Sequence, residues 1–323
     1  MAATGYYLDS FLAPLASYFE RGDLTDIWIN RPGEVWIETL GGGIERIEEP
    51  GLDEALLARL ARQIAAHSSQ GISRSQPLLA ATLPDGSRVQ IAAPPATREG
   101  HCFAFRRHVS AKLSLSDWED SEAFDVADTG AATQLAEREL VPLGGREAAS
   151  HLRAAVRGRK NILVSGSTSS GKTTFLNSLL GEVPREERLI LIEDTPELHL
   201  EHENSVGLIA ARGEESEAKV SAEDLLIAAL RMRPDRIILG ELRGSEAFTF
   251  LRAVNTGHPG SMTTVHADTP ARAVEQLALL ILQSGSRLAR EDVRHYVRES
   301  IDVFVQLERH QGRRTVSQVF AAR

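Results

Sequence analysis

A chain of 323 residues is too long for one small core and about right for two domains. Hydrophobic residues make up 42% and charged residues 25%, a balance that excludes disordered and collagen-like chains. Lys plus Arg number 36 against 45 Asp plus Glu, so the net charge of −9 argues against a protein built mainly to neutralise duplex phosphates. The single cysteine, Cys102, leaves no disulfide framework and reads as a small buried hydrophobe in a reducing cytoplasm. No aliphatic run approaches the ~18 residues of a spanning helix. The first twenty residues carry no Lys or Arg, so no signal peptide is expected. A soluble, cytoplasmic protein is the expectation.

In chain order, Leu8, Phe11, Leu12, Leu15, Tyr18 and Phe19 have helical spacing. The runs Asp26–Ile29 and Val35–Glu38 flank Asn30-Arg31-Pro32-Gly33-Glu34, whose Pro and Gly predict a hairpin. A helix is predicted from about Asp53 to His67, then short strands around Leu83, Val89–Ala92 and Cys102–Arg106. This first third, residues 1–130, is expected to form an α+β domain. Six acidic residues and no basic one lie between Asp117 and Asp128, a run read as a solvated connector. With Pro142 and Gly144-Gly145 it points to a linker over 131–145 and a second domain over 146–323. There strands alternate with helices, the pattern of a parallel α/β sheet. Predicted strands are Asn161–Ser165, Arg188–Glu193, Arg236–Gly240, Ser261–Val265 and Ile301–Leu307. Ser221-x-x-Asp224 resembles a capping box opening a helix toward Met232.

The strongest signal is Gly166-Ser167-Thr168-Ser169-Ser170-Gly171-Lys172-Thr173, followed by Thr174. An apolar strand precedes it and a helical pattern follows, the context a phosphate loop requires. Glycines let backbone N–H groups curl around phosphates, and the helix N-terminus adds partial positive charge. Lys172 then reaches the β and γ phosphates of a nucleotide, and the Thr173 hydroxyl ligates Mg²⁺. Hydrolysis also needs a carboxylate to orient water. Glu193-Asp194 and Glu241 both follow aliphatic strands, at the ends where such sheets bind ligands. Either acid taken alone is as readily a helix cap.

At these residues the chain resembles the VirB11 branch of the type II/IV secretion ATPases. Arg236-Ile-Ile-Leu-Gly240-Glu241-Leu-Arg243-Gly244 is similar to that family's Walker B, with glycine in the usual aspartate position. Glu193-Asp194 is similar to its Asp box, and Thr256-Gly257-His258-Pro259-Gly260 through Thr263-Thr264-Val265-His266-Ala267 to its His box. Arg231-Met232-Arg233-Pro234-Asp235, Asn30–Val35 and Leu83–Gln90 extend the likeness over roughly residues 8–310. The resemblance implies an α/β fold: a RecA-like P-loop ATPase domain with a parallel-rich sheet, preceded by the α+β N-terminal domain. It implies a homohexameric ring that hydrolyses ATP with Mg²⁺ in a type IV secretion, conjugation-type machine. The ring would lie peripherally at the inner membrane, held by other secretion ATPases and inner-membrane components. It also implies that Arg88 and Arg106 complete the site, although an arginine in a strand is otherwise a surface residue.

His266 reads two ways, as a satisfied strand-end group or as a γ-phosphate contact, and the second is preferred. His258 is expected to shape a loop. His199/His202 and Glu201/Glu203 lack further ligands of fixed spacing and read as a solvated face, not a metal site. Two rival functions stand beside the ATPase. A nucleic-acid translocase on the same core is opposed by the acidic balance and the lack of an aromatic-interleaved basic stretch. A nucleotide-gated switch is opposed by Glu241 and by the absence of an Asn-Lys-x-Asp guanine motif.

Overall fold

The structure is a computed structural model that describes residues 11–39, 43–68, 70–107, 113–121, 123–125, 140–143, 145–199, 201–210, 220–310 and 313–322. Two compact units divide the chain, one reaching residue 109 and the other running from 110 onward apart from 213–219.

The strands of the first unit are β1 (Leu24–Ile29), β2 (Glu34–Thr39), β3 (Ile44–Glu48), β4 (Leu78–Thr82), β5 (Arg88–Ala92) and β6 (Cys102–Arg106). They form one antiparallel sheet in the order β3-β2-β1-β6-β5-β4. Period-two alternation gives it a single buried face, where Ile27, Ile37, Ile91 and Phe105 share a core with Leu57, Leu60 and Ile64 of the helix Glu54–His67. That helix starts where predicted, because the Asp53 carboxylate accepts a 2.7 Å hydrogen bond from Leu56 N. The β1–β2 hairpin is also present, with Gly33 at φ +87° in its loop. On the other face, register sets Arg88 of β5 beside Arg106 of β6, and Arg106 beside Asp26 of β1. Cys102 shares that face and is half-buried, not the fully buried thiol expected, because alternation sends its neighbour Phe103 to the core instead.

The second unit holds β7 (Leu140–Leu143), β8 (Ile162–Gly166), β9 (Leu189–Glu193), β10 (Ser205–Ile209), β11 (Arg236–Leu239), β12 (Met262–His266), β13 (Val303–His310) and β14 (Arg313–Ala322). Their order is β10-β9-β11-β12-β8-β13-β14-β7. The six strands from β10 to β13 run parallel, β14 pairs antiparallel with β13, and β7 pairs antiparallel with β14 and so runs with the six. The α/β expectation therefore holds. Strands β8, β9 and β11 are buried along their whole length because both faces are covered. Ile162 and Val164 face one core, while Leu163 between them faces the other. All five predicted strands are present, whereas β7, β10 and β14 were not foreseen.

The acidic stretch departs from its reading as a solvated connector. Its described part includes the helix Leu115–Asp120, closed by a Ser114–Asp117 capping box. Leu115, Trp118 and Phe124 are buried in the core of the second unit. Apolar residues spaced among the acids thus move the start of that unit near 110 instead of beyond 130. Most of the expected linker, residues 131–139 and 144, lies outside the described residues. Among the described residues no helix is long and apolar enough to cross a membrane.

Candidate active site

The phosphate loop leaves β8 at Gly166 and enters the helix Lys172–Leu180. Gly166 has no room for a side chain: a Cβ there would lie 2.4 Å from Ser170 Oγ and 2.8 Å from Leu307 O. Ser169 at φ +63° and Gly171 at φ +96° are left-handed, the turn chemistry that lines a concavity with N–H groups. Ser170 Oγ is buried and has no hydrogen-bond partner among the described residues. Thr173 is half-exposed on the first helical turn. A cradle shaped this way, with a lysine at its mouth, fits a polyphosphate.

Lys172 Nζ donates to Gly166 O at 2.9 Å and Ser167 O at 3.0 Å, and lies 3.1 Å from His266 Nδ1. An ammonium only donates, so Nδ1 accepts and the imidazole carries its proton on Nε2. Nε2 stands 2.9 Å from Glu241 Oε1. The other Glu241 oxygen accepts from Arg243, which also reaches Asp194 Oδ2 at 3.3 Å. Burial pulls the Arg243 guanidinium downward, but the Glu241 hydrogen bond and charge outweigh it and hold it above its ordinary value. One polar chain therefore runs Lys172–His266–Glu241–Arg243–Asp194. The sheet explains it: β12 pairs His266 with Gly166 of β8, and Glu241 follows β11 on the next strand.

Glu193 reaches the same rim with a different task. Its Oε1 accepts from Glu197 N at 2.8 Å and Leu198 N at 2.7 Å, closing the turn after β9. Gly240 lies against it: a Cβ there would meet Glu193 Cγ at 3.5 Å, an ordinary contact. A carboxylate at 240 would stand against Glu193, a like-charge contact. His202 is buried, with Nε2 3.2 Å from Val183 O, so the solvated face expected for it is corrected. Among the described residues no group of three His, Cys, Asp or Glu is arranged to hold a metal. His258 precedes β12, at the strand end away from His266, and shapes a loop as expected, its Nδ1 3.4 Å from Ala253 O. Arg88 and Arg106 are brought together with each other, in the first unit.

Sequence reasoning missed several neighbours. Asn177 ties the P-loop helix to the turn after Glu193, donating to Glu197 O at 3.1 Å and accepting from His199 N at 2.9 Å. Gln306, buried on β13, accepts from Ser165 Oγ and donates to Ala267 O at 3.2 Å, bracing the entry to the loop and the exit from His266. Arg314 lies beside Gly171 and Thr174. Only Arg243 carried a local signal, two residues after Glu241.

Fold and site together define a P-loop nucleotide-binding protein on a mostly parallel α/β sheet. The sequence profile of the Type II/IV secretion system protein family matches residues 12–309. Type IV secretion system protein VirB11 of Bartonella henselae is 38% identical over 325 residues, covering 96% of this chain and 91% of that one. The PtlH homolog of Bordetella bronchiseptica is 40% identical over 314 residues, 94% and 91% of the two chains. The crystal structure of the VirB11 ATPase of Brucella suis, in complex with sulphate, is 34% identical with a TM-score of 0.50 over 97% of each chain. The pilus retraction motor PilT with bound ADP shares the fold at a TM-score of 0.60 and 19% identity, over 98% of this chain and 83% of that one. The chain belongs to the type II/IV secretion system protein family, in its VirB11 branch of type IV secretion ATPases.

Proposed function

We propose that the chain is a Mg²⁺-dependent ATP hydrolase that works as a homohexamer, powering substrate transfer or assembly in a type IV secretion machine. It acts on the cytoplasmic side, peripherally at the inner membrane, through other secretion ATPases and inner-membrane components. Direct nucleic-acid binding has no part in this reading.

The observation that carries it is the contact from Lys172 through His266 to Glu241 at the mouth of the P-loop. Lys172 exchanges its carbonyl partners for the β and γ phosphates, a stronger, charge-assisted set. The backbone N–H groups from Ser167 to Thr174 hold the remaining phosphate oxygens. His266, released from Lys172, meets the γ-phosphate through a protonated Nδ1, because the lone pair it turned to Lys172 would repel a phosphate oxygen. Glu241, fixed by Arg243 and His266, takes the proton of the attacking water. Glu193 has one oxygen committed to two backbone N–H groups and ranks second for that role. Arg88 and Arg106 supply cations for the charge that builds during transfer. Thr173 Oγ1 fits Mg²⁺, an ion content with one or two protein oxygens beside phosphate and water. When bound there, Mg²⁺ would neutralise negative charge on the phosphates during transfer.

The test is steady-state phosphate release by the full chain, with ring assembly followed by light scattering. Lys172→Ala should abolish turnover in a folded protein, and Arg88→Ala or Arg106→Ala should lower it by up to ~10³-fold. Near-normal release by Lys172→Ala, or by assembled rings of both arginine variants, would refute the reading.

A further inference from the structure

The geometry points to Arg314 as the ligand of the α-phosphate side of the nucleotide, supplied by the β13–β14 hairpin, with Trp118 near the same side of Gly171. This rests on the P-loop reading above and adds the end of the nucleotide that reading leaves open.

Strand order decides which end lies where. The P-loop crowns β8, whose neighbours are β12 on one flank and β13 on the other. His266 and Glu241 occupy the β12 flank, the side assigned to the γ-phosphate. A polyphosphate laid across the loop with its γ end there carries its α-phosphate and nucleoside toward β13. On that flank β14 returns antiparallel and brings Arg314 over the loop. A Cβ on Gly171 would lie 2.8 Å from Arg314 Cδ, 3.3 Å from Arg314 Nε and 3.5 Å from Trp118 Cη2. Arg314 Nη1 also reaches Thr174 Oγ1 at 3.4 Å. Thr174 sits on the first turn of the P-loop helix, where backbone N–H groups collect anions. The guanidinium therefore stands beside the N–H groups that a phosphate uses, and its fork suits phosphate oxygens. Trp118, whose Cη2 approaches the same side of Gly171 as the arginine, makes an edge contact with Phe175, ring centroids 5.1 Å apart.

A ligand of the α side is shared by ADP and ATP, whereas a γ-side cation acts on ATP alone. The experiment is calorimetric titration of the full-length chain with ADP and with the β,γ-imido analogue of ATP. Arg314→Met should weaken both by the same factor, about 10-fold for one charge-assisted contact, and Arg314→Lys should recover part of it. Unchanged ADP affinity, or a loss confined to the ATP analogue, would overturn the assignment. Trp118 emission in the Trp28→Phe/Trp36→Phe background gives a measurement with Arg314 intact. It should change on adding ADP, and a constant spectrum at saturation would equally overturn it. Lys172→Ala separates the two readings: retained ADP affinity there overturns the P-loop site itself, while its loss beside an indifferent Arg314→Met overturns only the arginine.

Discussion

Arg236 is completely buried, and its charge survives because every edge of the guanidinium is met. Nε and Nη2 donate to the two Glu187 oxygens at 2.6 and 2.9 Å, and Nη1 donates to Val156 O at 2.6 Å. The pair pins the start of β11 to the end of the helix Gly145–Arg157, at the rim away from the P-loop. Hydrogen bonding from Arg236, more than its charge, holds the Glu187 carboxyl below its ordinary value. Removing one partner strands the other, so Arg236→Ala should cost about 3–5 kcal/mol, while Arg236→Met with Glu187→Leu should cost much less. The pH dependence follows from the direction of the shift. A depressed carboxyl contributes fully above its unfolded value, about 4.3, and loses that contribution as pH falls through the folded value. Urea midpoints should therefore drop more for the wild type than for the apolar pair as pH is lowered from about 5 to about 3. Parallel decline of the two proteins would contradict the assignment.

At the scale of elements, legibility followed periodicity. The parallel strands announced themselves as apolar runs, and the helix Glu54–His67 as a capped 3.6-residue pattern. Strand β14 did not, because its buried Val316, Val319 and Phe320 follow neither period. The cause is a bulge: Gln306 pairs with Gln318 and Leu307 with Val316, leaving Ser317 as the extra residue. The helix Leu115–Asp120 was hidden by charge, its two buried apolar residues set among acids. That helix makes a prediction about truncation. A chain starting at 146 lacks Leu115, Trp118, Phe124 and β7, so it leaves holes over Phe175 and an uncovered β14 edge. A chain starting at 110 keeps them. The longer piece should melt cooperatively well above the shorter one, since one buried Trp removed costs ~3–5 kcal/mol. Circular dichroism melts at equal values would show that the acidic helix contributes nothing to this core.

Over the whole molecule, the legible part of the site was the part that lies at strand ends. Gly166, Glu193 and Glu241 each follow an aliphatic run, and His266 follows the β-branched run Thr263-Thr264-Val265, so one line of sequence shows both the strand and the residue at its tip. Arg314 and Gln306 come from a strand pair about 140 residues beyond the P-loop, and nothing local ties them to it. The arginine pair is intermediate. Resemblance pointed to Arg88 and Arg106, and register adds that they are direct neighbours on one face. Like charges placed opposite each other weaken a sheet unless something offsets them, and Asp26 beside Arg106 is one such group. In the proposed function, turnover depends first on the Glu241 carboxylate, which Arg243 holds at the loop mouth beside His266. The most direct measurement is ATP affinity and phosphate release by full-length Glu241→Gln, which keeps the shape and one accepting oxygen but not the base. Affinity should stay near that of the wild type while turnover falls by ~10²-fold or more. A folded Glu241→Gln that hydrolyses ATP at the wild-type rate would contradict this and pass the water-activating role to Glu193.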